Sequence, residues 1–377
     1  VRELGAAARQ LGVGRVLVVT DPVLERVGLV DRVRQPLRDA GMSVEVFAGG
    51  EPEPSFECAE QAVESAKRFR PDAIVGLGGG SNMDLAKITA NVVTHGGHFS
   101  DYFHFDNVPG PVLPLICVPT TSGTGSEVSH AAVLTDHANQ IKVSTLSPHL
   151  RPQLAVVDPE LTLSCPPKAT ADSGIDALTH AIEAYLATRS SDLDVPAGTL
   201  FAYEGKHPVG DLLAEKAITL VGEHLVTAVQ QPENLEARTG MALAATLAGL
   251  AFSNCGVALV HAMEYPLGGA LHCSHGEGNG LLLPFVMRFN LPERIPELAR
   301  VASLLGEDVT GLSLEEAAER ACGRVEMLRT EIGIPTRIRD LGGEEGQLPE
   351  FARKAFGIKR LMQLTPRTVT EEAILQI

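Results

Sequence analysis

The sequence predicts an α/β domain with a doubly wound, mostly parallel sheet over residues 1–162, followed by an all-helical domain over 163–377. Three observations carry this. Short apolar runs alternate with helix-like stretches through the first part, the pattern of strands joined by crossover helices. Helical periodicity takes over in the second part. Two glycine-rich segments also follow apolar runs, at the strand ends where open α/β sheets bind their ligands.

The strands are expected at 15–20, 43–47, 72–77, 113–118 and 154–157. The first ends at Asp21-Pro22, a turn signal. The third runs into Gly78-Gly79-Gly80-Ser81 and then a helix from about 83 to 93. Helices in the second part are expected at 171–186, 211–230, 236–253, 257–265 and 314–332. The last opens with Ser313 and Glu316, a capping box. Residues 188–207 mix Pro, Gly, Ser and Asp without periodicity and read as an ordered loop or insertion.

Composition excludes several functions. A net charge of −16 argues against nucleic acid or an anionic membrane as the main partner. Six cysteines lie scattered without CxxC spacing, neither a disulfide framework nor a zinc-finger pattern, so reduced thiols in the cytoplasm are expected. The chain shows no signal peptide and no apolar run of membrane-spanning length. Hydrophobic residues make up 44% but aromatics only 4%, so the cores must be aliphatic.

Chemistry concentrates in four residues. Asp176 and His180 stand four apart in a helix-like stretch and so share one face. His261 follows in another apolar stretch, and His275 lies between Ser274 and Gly276. Taken singly, each is as well explained by a core or helix-surface position. Together they form a donor set for a divalent transition metal, with room for a substrate oxygen.

The segment from Gly78 to Lys87 puts three glycines at a strand end and a helix start, which suits a phosphate. A tight turn would look the same. The segment Pro119-Thr-Thr-Ser-Gly-Thr-Gly-Ser-Glu127 is a second such loop, or else a helix start capped by Thr124 or Ser126. Asp21 is placed to bind an adenosine ribose and to repel a 2′-phosphate, favouring NAD(H) over NADP(H), unless it is only a turn residue before Pro22.

With these residues in place, the chain resembles the iron-containing (group III) alcohol dehydrogenase family over essentially its whole length. Gly78, Gly79, Gly80, Ser81, Asp84 and Ala86-Lys87 are similar to the family's phosphate loop. Thr120, Thr121, Thr124, Ser129 and Lys142 are similar to its second cofactor segment. Asp176, His180, His261 and His275 correspond to its four metal ligands. The resemblance implies a dehydroquinate synthase-like fold and one divalent metal, with Fe²⁺ favoured and Zn²⁺ compatible. It implies hydride transfer between an alcohol or hydroxy acid, as a metal-stabilised alkoxide, and a nicotinamide. It also implies a homodimer or higher homo-oligomer acting on small alcohols, aldehydes or hydroxy and oxo acids.

Two departures stand out. Many members carry a further histidine four residues after the ligand matched by His261; here Tyr265 stands there, a candidate catalytic group but a poor base at neutral pH. The stretch from Ala202 to Asp211 is similar to the hydroxyacid–oxoacid transhydrogenase branch, which implies 4-hydroxybutyrate and 2-oxoglutarate-type substrates with bound NAD. That alternative expects a cationic grip for carboxylates from Arg189, Lys206 and His207, which otherwise are solvated loop charges. Glycerol dehydrogenase, dehydroquinate synthase and maleylacetate reductase relatives fit the four-residue set less well. A nucleotide-binding protein that has lost catalysis would be expected to lack a ligand.

Overall fold

Val, Leu and Ile dominate the first-half strands, and such strands pair in parallel when helices cover both faces. The structure is a computed structural model that describes every residue except Gln140, Pro196, Ala197 and Thr199. The described chain divides into two compact units, Val1–Thr121 with Gly125–Ser164, and Ser122–Thr124 with Cys165–Ile377.

The first unit is built on β1 (Arg15–Val19), β2 (Ser43–Phe47), β3 (Ala73–Gly78), β5 (Leu115–Pro119) and β8 (Leu154–Ala155). They lie side by side in the order β2-β1-β3-β5-β8, and every pairing is parallel. Alternation along each strand separates two cores. Leu17, Val19, Ile74 and Leu115 face one side, toward α4 (Phe56–Phe69) and α5 (Gly80–His95). Val16, Val18, Val75, Leu77, Ile116 and Val118 face the other, toward α1 (Leu4–Gln10) and α3 (Leu29–Asp39). Helices on both faces make the doubly wound sheet expected from the sequence. The short α2 (Pro22–Arg26) follows β1.

A smaller sheet was not foreseen. It has the order β4-β7-β6, from β4 (His104–Phe105), β6 (Ala131–Asp136) and β7 (Ile141–Leu146). The antiparallel β6–β7 pair shows only partial alternation of buried and exposed residues, and its turn has no Asn-Gly or Asp-Gly signal. The segment from Pro119 to Ser129 leads into this sheet without forming a helix, so the reading of Thr124 or Ser126 as a helix cap is corrected.

The second unit carries ten helices among its described residues: α6 (Pro167–Leu186), α7 (Pro208–Gln230), α8 (Leu235–Cys255), α9 (Leu259–Leu271), α10 (His275–Asn290), α11 (Ile295–Leu304), α12 (Leu314–Glu331), α13 (Leu348–Phe356), α14 (Lys359–Leu364) and α15 (Glu371–Gln376). Ser313 and Glu316 form the expected capping box on α12. The sequence reading ended α9 at Tyr265, but the helix continues through Pro266. It left out α10, whose opening glycines masked a helix start capped by Ser274. The 188–207 segment closes its ends through Arg189 and Lys206, and three of its residues lie outside the described set. No single helix among the described residues is long and apolar enough to cross a membrane. The α8–α9 pair meets the length and composition test only together, and it bends by 106°.

Candidate active site

α6 is an almost wholly buried helix, and it presents Asp176 and His180 one turn apart, with His180 Nε2 3.9 Å from Asp176 Oδ1. α9 brings His261 and α10 begins at His275. One ligand atom from each of the four side chains lies within 4.8 Å of every other. The rings stack in sequence: Phe252 on His180 at 4.3 Å, His180 on His261 at 4.8 Å, and His261 against the edge of His275 at 5.1 Å.

Three arrangements hold the helices in this register. Glu183, one turn beyond His180 on α6, accepts from the Ala258 and Val260 amides at 3.0 and 2.7 Å and from His261 Nδ1 at 2.5 Å. A buried carboxylate at a helix N-terminus satisfies orphan N–H groups and meets the positive end of the dipole. Asp172 on α6 accepts from the hydroxyl of Ser274, the α10 cap, at 2.7 Å, and pairs with Lys168 at 2.6 Å. Gly276 completes the contact. A Cβ there would lie 2.0 Å from the carbonyl of Asp172, so only glycine lets α10 approach α6 this closely.

The tautomers follow from the outer carboxylates. His261 Nδ1 donates to Glu183, and His275 Nδ1 donates to fully buried Glu264 at 2.6 Å. Each Nε2 is therefore left as a lone-pair acceptor. Burial pushes the pKa of His180 down to about 3 against the pull of Asp176, so its imidazole is neutral. Burial opposes the charge on Asp176 as well, yet the surrounding rings and Asn279 hold its carboxyl below the usual carboxylate range. The cluster thus combines one carboxylate, a neutral His180 and two imidazoles whose Nε2 atoms turn toward Asn279.

This set fits a divalent cation. The Asn279 amide donates to Asp176 Oδ1 at 2.8 Å and stands 3.3 Å from His261 Nε2 and 3.2 Å from His275 Nε2. An amide has two N–H groups and here faces three acceptors. Acceptors that converge in excess of donors call for a cation, and an oxygen–nitrogen set suits Fe²⁺ or Zn²⁺.

Tyr265 lies beside this cluster, its ring 6.3 Å from that of His275. It is half-buried and hydrogen-bonds to Arg360.

The expected cofactor residues lie mostly at strand ends of the first unit. Asp21 caps α2 by accepting from the Val23 and Leu24 amides, and it accepts from Asn82 Nδ2 at 2.7 Å. Gly78 adopts φ +144°, and a Cβ there would strike the Asn82 amide at 2.2 Å. Gly79 then caps α5, so the first-turn amides at Gly80 and Ser81 open at the strand end. The Ser81 hydroxyl accepts from the Glu53 amide. Thr120 and Thr121 follow β5, and the Thr120 amide donates to the Gly78 carbonyl. Thr124 belongs to the second unit.

Asp84, Ser129 and Lys142 are engaged within the first unit. Buried Lys87 donates to Ser126, Ser129 and the Ala131 carbonyl at 2.7, 3.2 and 2.7 Å. Asp84 accepts from Ser126 and from the Val133 amide at 2.6 and 3.0 Å, and Lys142 pairs with Glu53 at 3.0 Å. The three cations expected to grip a carboxylate are engaged too. Lys206 binds Asp211 at 2.6 Å over the Tyr185 ring, His207 caps α7, and Arg189 lies 3.8 Å from Glu297.

Sequence reasoning missed Glu183, Glu264, Asn279 and Arg360. Glu183 and Glu264 each follow a candidate ligand by three residues on the same helix, a spacing that puts them on its face and was open to reading. Asn279 stands four after His275 on α10.

Comparison with known proteins bears on the whole chain. Residues 1–159 match the family model described as iron-containing alcohol dehydrogenase, and residues 200–377 match that of the Fe-containing alcohol dehydrogenase family, C-terminal. The chain is 38% identical over 377 residues to the NAD-dependent methanol dehydrogenase of Bacillus methanolicus, covering 100% of this chain and 94% of that protein. It is 39% identical to long-chain-alcohol dehydrogenase 1 of Geobacillus thermodenitrificans, with 100% and 91% covered. The crystal structure of a 1,3-propanediol oxidoreductase superposes with a TM-score of 0.92 at 36% identity, over 100% of this chain and 94% of that one.

Proposed function

This chain belongs to the iron-containing alcohol dehydrogenase family and is an oxidoreductase, and we propose that it moves hydride between a small alcohol or its aldehyde and NAD, using one divalent metal ion. Asp176 would hold the ion through its carboxylate, and His180, His261 and His275 through ring nitrogens. The excess of acceptors over donors around Asn279 is the observation that carries this reading. A donor set without sulfur fits Fe²⁺ and leaves Zn²⁺ compatible, and the family match favours Fe²⁺. When bound, the ion supplies Lewis acidity toward an alcohol or carbonyl oxygen, and NAD supplies the hydride acceptor.

The chain's own residues do the rest. Glu183 and Glu264 fix the ring orientation of His261 and His275 by accepting from Nδ1, so that each Nε2 faces the cluster. Phe252 shields one face of His180 and excludes water there. Tyr265 accepts from Arg360, which leaves the phenol hydrogen as a donor beside His275 and suits it to pass the proton of an alcohol.

In the first unit, Gly78, Gly79, Gly80 and Ser81 are proposed to hold the pyrophosphate at the start of α5. Thr120 and Thr121 supply hydroxyls, and Asp21 takes the adenosine ribose, favouring NAD over NADP. Asp84, Ser129 and Lys142 support these loops through Lys87 and Glu53.

The test is metal loading under anaerobic conditions followed by paired assays of NAD and NADP reduction with a short primary alcohol. About one ion per chain, greater activity with iron than with zinc, and preference for NAD are expected. A chain that binds no metal and reduces neither cofactor would overturn the reading. A preference for NADP would overturn only the role of Asp21.

A further inference from the structure

Glu53 lies in Glu51-Pro52-Glu53-Pro54, between β2 and α4 of the first unit. The segment is pressed against the end of β1 and the start of α5. The Gly50 amide donates to the Thr20 carbonyl at 2.8 Å, and a Cβ at Gly50 would fall 2.3 Å from Asn82 Oδ1. Glu51 braces the turn by accepting from the Ser55 amide at 3.0 Å. The Glu53 amide then donates to the Ser81 hydroxyl at 3.2 Å. A glutamate is thus fixed beside the first turn of α5, the proposed seat of the pyrophosphate.

The backbone at this position is unfavourable for glutamate. Glu53 has φ +52°, in the left-handed region that Gly and Asn adopt more readily than other residues. Strain of this kind persists only where the surroundings impose it, and it gathers at functional sites. Here the surroundings supply a charge contact. The β6–β7 ladder sets Thr135 opposite Lys142, and the Thr135 amide donates to the Pro54 carbonyl at 2.8 Å. Opposite residues of a ladder point to the same face, so the hairpin delivers Lys142 to Glu53, with Nζ 3.0 Å from the carboxylate. The Lys142 side chain is 4% exposed and that of Glu53 36%. Lys142 has further contacts, so it does not depend on Glu53 alone.

A buried ammonium near a helix N-terminus attracts an anion. The free protein already supplies one there, from its own chain and at the cost of a strained residue. We propose that Glu53 is a built-in competitor of the cofactor: its carboxylate neutralises Lys142 in the free protein and opposes the arriving pyrophosphate, so that NAD binds loosely and exchanges with solution instead of staying bound. This rests on the proposed place of the pyrophosphate at α5 and names what sets the affinity of that site. Like charges a residue's length apart near a surface change an affinity about five- to tenfold.

The test is calorimetric titration of the full chain with NAD, ADP and adenosine, in wild type, Glu53→Gln and Glu53→Asn. Both variants remove the charge, and Asn also suits the positive φ, so at least one folded variant is expected from melting curves. NAD and ADP should bind about five- to tenfold more tightly to the variants, and adenosine, which has no phosphate, should bind as before. Stopped-flow measurement should show NAD leaving the variants more slowly by a similar factor. Affinities for NAD and ADP that stay the same or fall overturn the proposal, because Glu53 would then only brace its loop. An equal gain for adenosine also overturns it, since the effect would lie in the shape of the site and not in phosphate charge. If neither NAD nor ADP binds the wild type or the variants, the cofactor reading itself falls and the proposal with it.

Discussion

Two buried polar clusters, one in each unit, are built from similar side chains and reach opposite balances. Around Lys87 the count closes. Three ammonium hydrogens meet three acceptors in Ser126, Ser129 and the Ala131 carbonyl, and Asp84 is satisfied by Ser126 and the Val133 amide. Around Asp176 it does not close. The two hydrogens of the Asn279 amide face a carboxylate and two ring nitrogens. Buried polar groups are normally satisfied, so a closed cluster reads as framework and an open one as a place for something positive. The difference teaches that burial and charge alone do not mark a site; the balance of donors and acceptors does.

The largest expected effect separates the two directly. Asp176→Asn should abolish metal uptake and lower kcat/KM about a thousandfold or more, since Lewis acidity contributes several kcal/mol. The melting temperature of the metal-free protein should change little, because the amide keeps the shape of the carboxylate, and the rise that metal gives the wild type should be lost. Calorimetry and metal analysis check this. A metal-free variant that melts well below the metal-free wild type would mean that the Asp176 cluster is framework as well.

Lys87→Met probes the closed cluster. Removing the ammonium leaves Asp84 without its cation, and breaking such a buried pair costs about 3–5 kcal/mol. Denaturant unfolding should show this loss equally with and without metal. A loss that disappears on adding metal would put Lys87 in the wrong class.

Glu264→Gln is a subtler test. The amide can still accept from His275 Nδ1 but lacks the charge that makes the imidazole a better donor to an ion. Metal affinity should fall about 10- to 100-fold, measured by competition with a chelator. An unchanged affinity would break the link between the buried carboxylates and the ion.

The smallest effect comes from an exposed pair that lies in neither cluster. Arg288 bonds Glu326 at the surface and holds its carboxyl below the usual carboxylate range. A lowered folded pKa means that the stabilisation is present above the unfolded value, about 4.3, and is lost as pH falls through the folded value. Both side chains are about one-third exposed, so Glu326→Gln should cost no more than about 1 kcal/mol at pH 7 and nothing measurable in strong acid. A cost that persists in acid would point to packing instead of charge.

Helical spacing explains what could be read in advance. Asp176 and His180 announce themselves at four residues apart, and the parallel strands through their unbroken apolar runs. The β6–β7 hairpin stayed hidden because its alternation is imperfect and its turn lacks the usual glycine. α10 stayed hidden because three glycines open it, and at Gly276 the cause is close packing that no local pattern reveals. Arg360 lies 95 residues after Tyr265, and a contact over that distance exists only once α9 and α14 have packed together. The pair Asp176 and His180 was legible from spacing along one helix; the reach of Glu264 on α9 to His275 at the start of α10 was not.

Glu183 has a consequence for how the site can be watched. One carboxylate holds the first amides of α9 and the ring of His261 together. Fraying of that helix end and escape of an ion are then the same local opening. Hydrogen–deuterium exchange at Ala258 and Val260 becomes an occupancy gauge, slowing as the ion binds, without a chromophore, a substrate or turnover.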